Sequence, residues 1–495
     1  MVAPMNWRCG WKSESPTMNT HHVDVAIIGS GTAGMAAYKA AHAHGGTVLL
    51  IESGPYGTTC ARVGCMPSKL LIAAAEAAHQ ARHAEPFGVH VKEVVVNGSE
   101  VMARVRQERD RFVGFVLATN QAMAPSDVLT ARVRFQDANT LVTLQGEVIH
   151  ARRIVIATGS IPVLPPMLKD LGTHLLTNEN IFELTALPKR LAVFGTGPLG
   201  LELAQAMSRL GVHVKMFGVG GRIAGIRDPQ IRDYANQVFN EEFYLDAAAQ
   251  VRSVQQSGAG VEVQYLHRDG SWKAEHFDYV LAATGRVPAL HDLALANTGL
   301  ALDARGVPVF DRYTLQCGYS TIFIAGDASN EIPLLHEAAD QGRIAGENAG
   351  RYPDVRAGLR RTALALVFTE PQVAAVGVNL EQLTLHCKGR FAVGQVSFED
   401  QGRSRIMLRN KGLLKVYAER GTDLFLGAEM FGPAAEHIGH LLAWAAQKRM
   451  TVPDMLDMPF YHPVIEEGLR TALRDLSHQL HTEASANEVD SPAQY

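Results

Sequence analysis

Two stretches of the chain share one order of apolar and polar positions. Residues 23–28 form a short apolar run with several β-branched side chains, and it enters Gly29-Ser30-Gly31-Thr32-Ala33-Gly34 directly. An alanine-rich stretch leads on to Gly45-Gly46, and residues 47–51 are a second apolar run that ends at Glu52. The periods predict a strand, a turn, a helix and a second strand. The order recurs further on. Residues 191–194 are apolar, Gly195-Thr196-Gly197-Pro198-Leu199-Gly200 follows, residues 201–210 have a helical period, and Gly211 precedes a strand at 212–217. Pro198 suits a first helical turn.

Each unit has the spacing of a dinucleotide-binding motif. The first glycine permits the tight turn, the second lets backbone approach a pyrophosphate, and the third lets helix and strand pack closely. The helix N-terminus offers unpaired N–H groups to the phosphates. In the first unit Glu52 stands at the strand end, where an acid accepts hydrogen bonds from ribose hydroxyls. In the second unit the strand ends at Phe217-Gly218, with no acid at that place.

Three more apolar runs stop at small-residue turns: residues 154–157 at Thr158-Gly159, residues 279–283 at Thr284-Gly285, and residues 321–325 at Gly326-Asp327. Buried parallel strands end in this way, and ligands bind at such ends. From about Tyr352 the pattern changes. Strands are predicted at 363–368, 391–398, 406–408 and 413–417, then a helix at 434–448, which is an α+β order. The polar segment after Leu476 is expected to be mobile, and residues 1–22 a loose extension with a second possible start at Met18.

Composition narrows the class. The chain has 495 residues, 47% hydrophobic and 19% charged, with 46 basic and 50 acidic side chains. These values exclude collagen, coiled coil and wholesale disorder. So even a balance gives no reason to expect a nucleic-acid or membrane partner. Five sparse cysteines do not form a secreted disulfide framework, which favours the cytoplasm.

Cys60-Ala61-Arg62-Val63-Gly64-Cys65-Met66-Pro67-Ser68-Lys69 lies just after Glu52. In a regular helix, residues five apart are separated by roughly 7.5 Å of rise. A disulfide normally needs Cα atoms ~4.4–6.8 Å apart. A bridge here requires a distorted segment, and Gly64 supplies that freedom. Two structural thiols are the alternative; a metal site is another, but no second Cys or His pair has zinc-like spacing. The position beside a nucleotide unit favours redox chemistry.

Taken together, the two glycine units, the cysteine segment, the two Ala-Thr-Gly turns, Ile324-Ala325-Gly326-Asp327 and Phe460-Tyr461-His462-Pro463-Val464-Ile465-Glu466-Glu467 resemble the pyridine nucleotide–disulfide oxidoreductases, and among them dihydrolipoyl dehydrogenase most. The likeness spans roughly residues 23–475. It implies an α/β fold of two doubly wound, Rossmann-like dinucleotide-binding domains plus a C-terminal α+β dimerisation domain. The FAD domain would take residues 23–165 and 287–351, the NAD(P) domain 166–286 and the dimerisation domain 352–475, with a tail at 476–495.

The resemblance further implies FAD held by Gly29, Gly31, Gly34, Glu52, Thr59, Lys69, Thr158, Gly159 and Asp327. NAD, with NADP as the alternative, would be held by Gly195, Gly197, Gly200 and Gly285. A Cys60–Cys65 disulfide would be the redox centre, Lys69 would pair with Glu202, and His462 oriented by Glu467 would be the base, facing the disulfide of a second copy in a homodimer. No metal is implied. The implied reaction is oxidation of a dihydrolipoyl group with NAD⁺. The alternative is an NADPH-dependent reductase of another small disulfide, as in glutathione reductase. Mercuric reductases and large thioredoxin reductases would carry a further redox pair near the C-terminus, whereas Cys387 is the last cysteine here. Gly218, Phe460 and Thr58 depart from the dihydrolipoyl dehydrogenase pattern, which usually has an acid, a histidine and a glycine there.

Overall fold

The structure is a computed structural model and describes residues 19–489. Contacts divide the chain into two compact units. Of the described residues, one comprises 19–56, 119–160 and 288–358; the other comprises 57–118, 161–287 and 359–489.

In the first unit Thr20–Ile28 is central in a sheet. It pairs in parallel with Val48–Glu52 on one side and Val148–Ile156 on the other. Val128–Thr130 extends the sheet beyond Val48–Glu52, and Ile322–Ile324 pairs in parallel with Val148–Ile156. The register puts Ile28 opposite both Ile51 and Ile156, so three strand ends finish level. The ends of four of these strands, residues 25–28, 48–51, 154–156 and 322–324, are apolar on both faces and buried, as a covered parallel sheet requires. The helices Thr32–His42 and Leu335–Arg351 approach each other at glycines. A Cβ at Gly342 would lie 2.1 Å from the Ala33 carbonyl oxygen, and one at Gly346 2.3 Å from that of Ala37. The strand begins at Thr20, not at residue 23. Thr20, His21 and His22 pair with residues 148–150 and belong to the sheet, not to a loose extension. Residues 1–18, with Met18, lie outside the described residues.

The second unit repeats the plan. Tyr244–Asp246, His213–Phe217, Arg190–Phe194, Tyr279–Ala282 and Leu175–Leu176 form a five-stranded parallel sheet in that order. A three-stranded antiparallel sheet (Val251–Ser257, Gly260–Leu266, Trp272–Phe277) joins it, which the sequence pattern did not suggest. The C-terminal part is a five-stranded antiparallel sheet in the order Leu364–Val367, Gln372–Gly377, Phe425–Gly432, Leu413–Glu419, Phe391–Ser397. The helices Ala435–Gln447 and Glu467–Val489 bury Ile438, Leu442, Leu469 and Leu473 in the core they share with that sheet.

Three further expectations are corrected. Residues 406–408 are not a strand: Ile406 ends the helix Gly402–Ile406, which the Gln401 side chain caps by accepting from the Ser404 N–H at 2.7 Å. Leu408 follows at φ 51°, outside strand geometry. The segment after Leu476 is helical through Val489, because Leu476 and Leu480 continue the buried stripe of Leu469 and Leu473; residues 490–495 lie outside the described residues. Residues 57–118, read above as part of the first nucleotide domain, group with the second unit. The cause is packing: Leu71, Ala75 and Ala78 share one core with Leu203 and Met207. Among the described residues no helix is long and apolar enough to cross a membrane.

Candidate functional site

The first unit carries a tight glycine turn at the end of its central strand. Gly29 has φ 105°, and a Cβ there would meet the Ala157 carbonyl oxygen at 2.3 Å. A Cβ at Gly34 would lie 1.8 Å from the Gly29 carbonyl oxygen, so strand and helix touch through glycine alone. At Gly31 a Cβ would meet nothing within 4 Å, so its bare backbone is left facing open space. Glu52 accepts from the Ser30 N–H and hydroxyl at 2.8 Å each, and from the Gly54 N–H at 2.8 Å. It is therefore fixed against the turn it was expected to serve. Asp327 accepts from the Ser160 hydroxyl at 2.7 Å. The Thr158 hydroxyl is buried and has no partner. A buried hydroxyl without a bond costs about 1–3 kcal/mol, and a bound group with polar atoms would satisfy it. The open face at Gly31 and this hydroxyl fit a dinucleotide such as FAD.

The second unit has a turn of the same shape. Gly195 stands at φ 107°, with a Cβ position 2.2 Å from the Ala283 carbonyl oxygen, and a Cβ at Gly200 would lie 2.1 Å from the Gly195 carbonyl oxygen. Gly197, like Gly31, has nothing within 4 Å of its Cβ position. Gly285, at φ 106°, accepts at its carbonyl from Val163 N–H. At Gly218 the result differs. A Cβ there would stand 2.7 Å from Thr196 Cγ2 and 2.9 Å from the Ala247 carbonyl oxygen. Of the two arginines beyond it, Arg227 pairs with Glu381 at 3.2 Å, whereas Arg222 is exposed.

The cysteines sit at a break between two helices, Thr59–Val63 and Cys65–Arg82, with Gly64 at φ −129°, ψ −116° between them. A Cβ at Gly64 would lie 2.9 Å from the Thr59 carbonyl oxygen and 3.1 Å from Cys60 Cα, so only glycine brings the two turns this close. Both cysteines are free thiols that share a hydrogen bond. That bond from Cys60, and then the charge of Lys69, lower the Cys65 thiol to about 7 against its burial. The same bond, together with burial, pushes Cys60 far up. Lys69 is paired with Glu202 at 2.7 Å; Glu202 is 5% exposed and also accepts from the Phe368 N–H at 2.9 Å. The Lys69 ammonium lies 4.5 Å from the centre of the Phe368 ring. Thr59 is exposed one residue ahead of Cys60. Thr58, at φ 59°, ψ 150°, caps the first helix, accepting from the Ala61 N–H at 3.2 Å.

His462 Nδ1 lies 3.0 and 3.1 Å from the two carboxylate oxygens of Glu467. The imidazole, and then the Val464 N–H, hold the Glu467 carboxyl below the usual carboxylate range. The histidine side chain is 81% exposed. Sequence reasoning missed Thr196, Phe368, Tyr417 and Glu429. For Glu429 a signal existed: an acid inside the apolar run Leu426-Gly427-Ala428-Glu429-Met430-Phe431.

Residues 23–342 match the family described as pyridine nucleotide-disulphide oxidoreductase, and residues 364–473 match its dimerisation domain. The chain belongs to that family, whose members are FAD-dependent and bind NAD or NADP. It is 31% identical to a mercuric reductase of Acidithiobacillus ferrooxidans over 94% of this chain and 85% of that one. It is 28% identical to a dihydrolipoyl dehydrogenase of Chlamydia pneumoniae, over 93% and 99%. The mercuric reductase is thus somewhat more alike than the dihydrolipoyl dehydrogenase that the motifs suggested. Among solved structures, LpdA from Mycobacterium tuberculosis superposes with a TM-score of 0.78 at 26% identity, covering 91% of this chain and 99% of that one. The protein is a flavoprotein disulfide oxidoreductase.

Proposed function

We propose that the protein oxidises a small dithiol, a dihydrolipoyl group in the first instance, with NAD⁺ as final acceptor. The observation that carries this reading is the Cys60–Cys65 pair: two hydrogen-bonded thiols with opposite pKa shifts beside the Lys69–Glu202 pair. Cys60 is the interchange thiol and Cys65 the thiolate partner of the cofactor. Starting from the Cys60–Cys65 disulfide, a substrate thiolate attacks Cys60; the bond between the cysteines breaks and Cys65 leaves as thiolate. The second substrate thiolate then attacks the substrate sulfur of the mixed disulfide and releases Cys60. Two electrons have moved from substrate to the cysteine pair. His462 takes the thiol proton at its free ring nitrogen, and Glu467 holds the ring and stabilises its charged form. When bound, FAD supplies two-electron transfer between the thiols and the nicotinamide.

Gly29, Gly31, Gly34, Glu52, Thr158, Gly159 and Asp327 of the first unit would hold FAD; Gly195, Gly197, Gly200 and Gly285 of the second would hold the nicotinamide nucleotide. Two copies associate through the dimerisation domain, and His462 serves the partner's cysteines; its exposure supports this, as do exposed Trp444 and Tyr461. NAD(H) is preferred over NADP(H) by a small margin, since Gly218 neither holds a ribose hydroxyl nor repels a phosphate.

The second reading runs the chemistry in reverse, as an NADPH-driven reductase of another small disulfide. The exposed guanidinium of Arg222 and the likeness to an enzyme named as a reductase favour it. The test is kcat/KM on one sample with NADH and NADPH, using lipoamide and glutathione disulfide as oxidants. Preference for NADH with lipoamide supports the first reading; strong preference for NADPH with glutathione disulfide replaces it by the second.

A further inference from the structure

The segment between the strand His213–Phe217 and the helix Pro229–Glu242 begins at the ribose position of the second nucleotide unit. It has little regular structure and three glycines at positive φ (Gly220, Gly221 and Gly225), plus Ala224 at φ 53°. A loop of this kind keeps one shape only if its backbone groups are held from outside. At its start the Thr196 hydroxyl, inside the glycine turn, donates to the Arg222 carbonyl, and the Thr196 carbonyl accepts from the Ala224 N–H at 2.9 Å.

Its end is held from a different part of the chain. Glu429 lies on the strand Phe425–Gly432 of the dimerisation domain and is 2% exposed. Its Oε1 accepts from the Arg227 N–H at 2.6 Å and the Asp228 N–H at 3.2 Å. Its Oε2 accepts from the Leu380 N–H at 3.1 Å and the Tyr417 hydroxyl at 3.2 Å. Four donors fill the roughly four acceptor sites of one carboxylate. A buried charge is costly unless it is fully bonded. An apolar residue here would spare the sheet that cost, but would leave two N–H groups of the loop unpaired. Lys415 of the neighbouring strand adds a second tie, 2.8 Å from Asp228, which in turn caps the following helix by accepting from the Ile231 N–H at 3.0 Å.

We infer that Glu429 is a positioning residue for the pyridine nucleotide: from the dimerisation domain it sets the shape of the loop that carries Arg222, and so the affinity for NAD(P)H. The inference rests on the reading of Gly195, Gly197 and Gly200 as the nucleotide site. In Glu429→Gln one oxygen becomes an amide that cannot accept from Leu380, so the carboxamide cannot serve both sides. KM for the preferred nucleotide rises about tenfold, which at ~1.4 kcal/mol per decade lies within the range of coupling in one polar network. The kcat at saturating nucleotide, the FAD content and the reduction of the flavin by dithiothreitol stay within about twofold of the parent.

The holoenzyme is assayed with NADH and with NADPH, using ferricyanide as acceptor so that the dithiol substrate plays no part. Tyr417→Phe removes a single donor and decides the matter if Glu429→Gln does not fold: a threefold or larger rise in KM at unchanged kcat supports the inference. An unchanged KM in both variants overturns it. So does a parallel fall of kcat, FAD content and thiol reactivity, which would make Glu429 a general structural residue. Failure of the parent protein to oxidise either nucleotide would instead remove the nucleotide reading itself.

Discussion

Lys69 and Glu202 come from segments 133 residues apart and meet at 2.7 Å, with the glutamate almost wholly buried and also bonded to the Phe368 backbone. Removing one partner of such a pair leaves a buried charge uncompensated, at a cost of about 3–5 kcal/mol. Lys69→Met, which strands the buried Glu202 carboxylate, is therefore expected to lower thermal stability most, whereas Glu202→Gln leaves a partly exposed ammonium and is expected to do so less. In both, thiolate formation at Cys65 weakens, because Glu202 holds in place the cation that favours it. Unfolding curves and the thiolate titration described next read both effects; equal stability of all three proteins would contradict the pairing.

In reduced protein, thiolate absorbance near 240 nm is expected to titrate with a midpoint of about 7 and to belong to Cys65. The signal is present above that pH and lost below it. Cys65→Ser removes it, and Cys60→Ala moves it to higher pH by deleting the hydrogen bond that contributes most to the shift. A signal that survives Cys65→Ser would reassign the thiolate.

Cys60→Ser and Cys65→Ser should each abolish dithiol turnover while leaving the FAD absorbance. His462→Gln should lower turnover by roughly 10²–10⁴, the usual value of a general base. Near-normal turnover in any one of the three refutes the role given to that residue.

The two open glycines separate folding from ligand binding. Gly31→Ala and Gly197→Ala meet no atom of the protein, so both variants should fold. The first is expected to emerge colourless or to lose FAD on dialysis. The second should keep FAD but show a higher KM for NAD(P)H. Full FAD occupancy in Gly31→Ala would remove that glycine from the cofactor site.

Thr58 sits at φ 59°, ψ 150°, a region that in practice only glycine occupies and that costs other residues about 1–3 kcal/mol. Its hydroxyl cap is worth only a few tenths of a kcal/mol relative to glycine, but about 0.5–2 kcal/mol relative to alanine. Thr58→Gly should raise the melting temperature and Thr58→Ala should lower it. A fall in both would show that the backbone conformation is not strained.

How legible the protein was depended on the range of the interactions involved. The turns at Gly29–Gly34 and Gly195–Gly200 were readable because a strand, a glycine turn and a helix are set by neighbours in sequence, and so was the His462–Glu467 pair, five residues apart. Packing between distant segments was not. Nothing near Gly402 announces that Gln401 caps a helix, and a short apolar triplet at 406–408 resembles a strand until that cap is seen. The tail was misjudged because Leu476 and Leu480 are two isolated apolar residues in a polar segment; only the sheet beneath them makes a stripe. Glu429 was visible as an oddity in its strand, but its four donors come from residues 227, 228, 380 and 417, which no local pattern joins.

The break at Gly64 makes Cys65 the first residue of an 18-residue helix. Only the reduced pair carries a negative charge there, so only the reduced pair gains from the helix's positive end. That gain is typically about 0.3–1 kcal/mol and up to ~2 kcal/mol when partly buried. For a two-electron couple 30 mV corresponds to about 1.4 kcal/mol, so the midpoint potential would move upward by roughly 6–43 mV. On the proposed reading the pair would take up electrons more readily than it gives them up, and their onward passage would draw its driving force from the nicotinamide end.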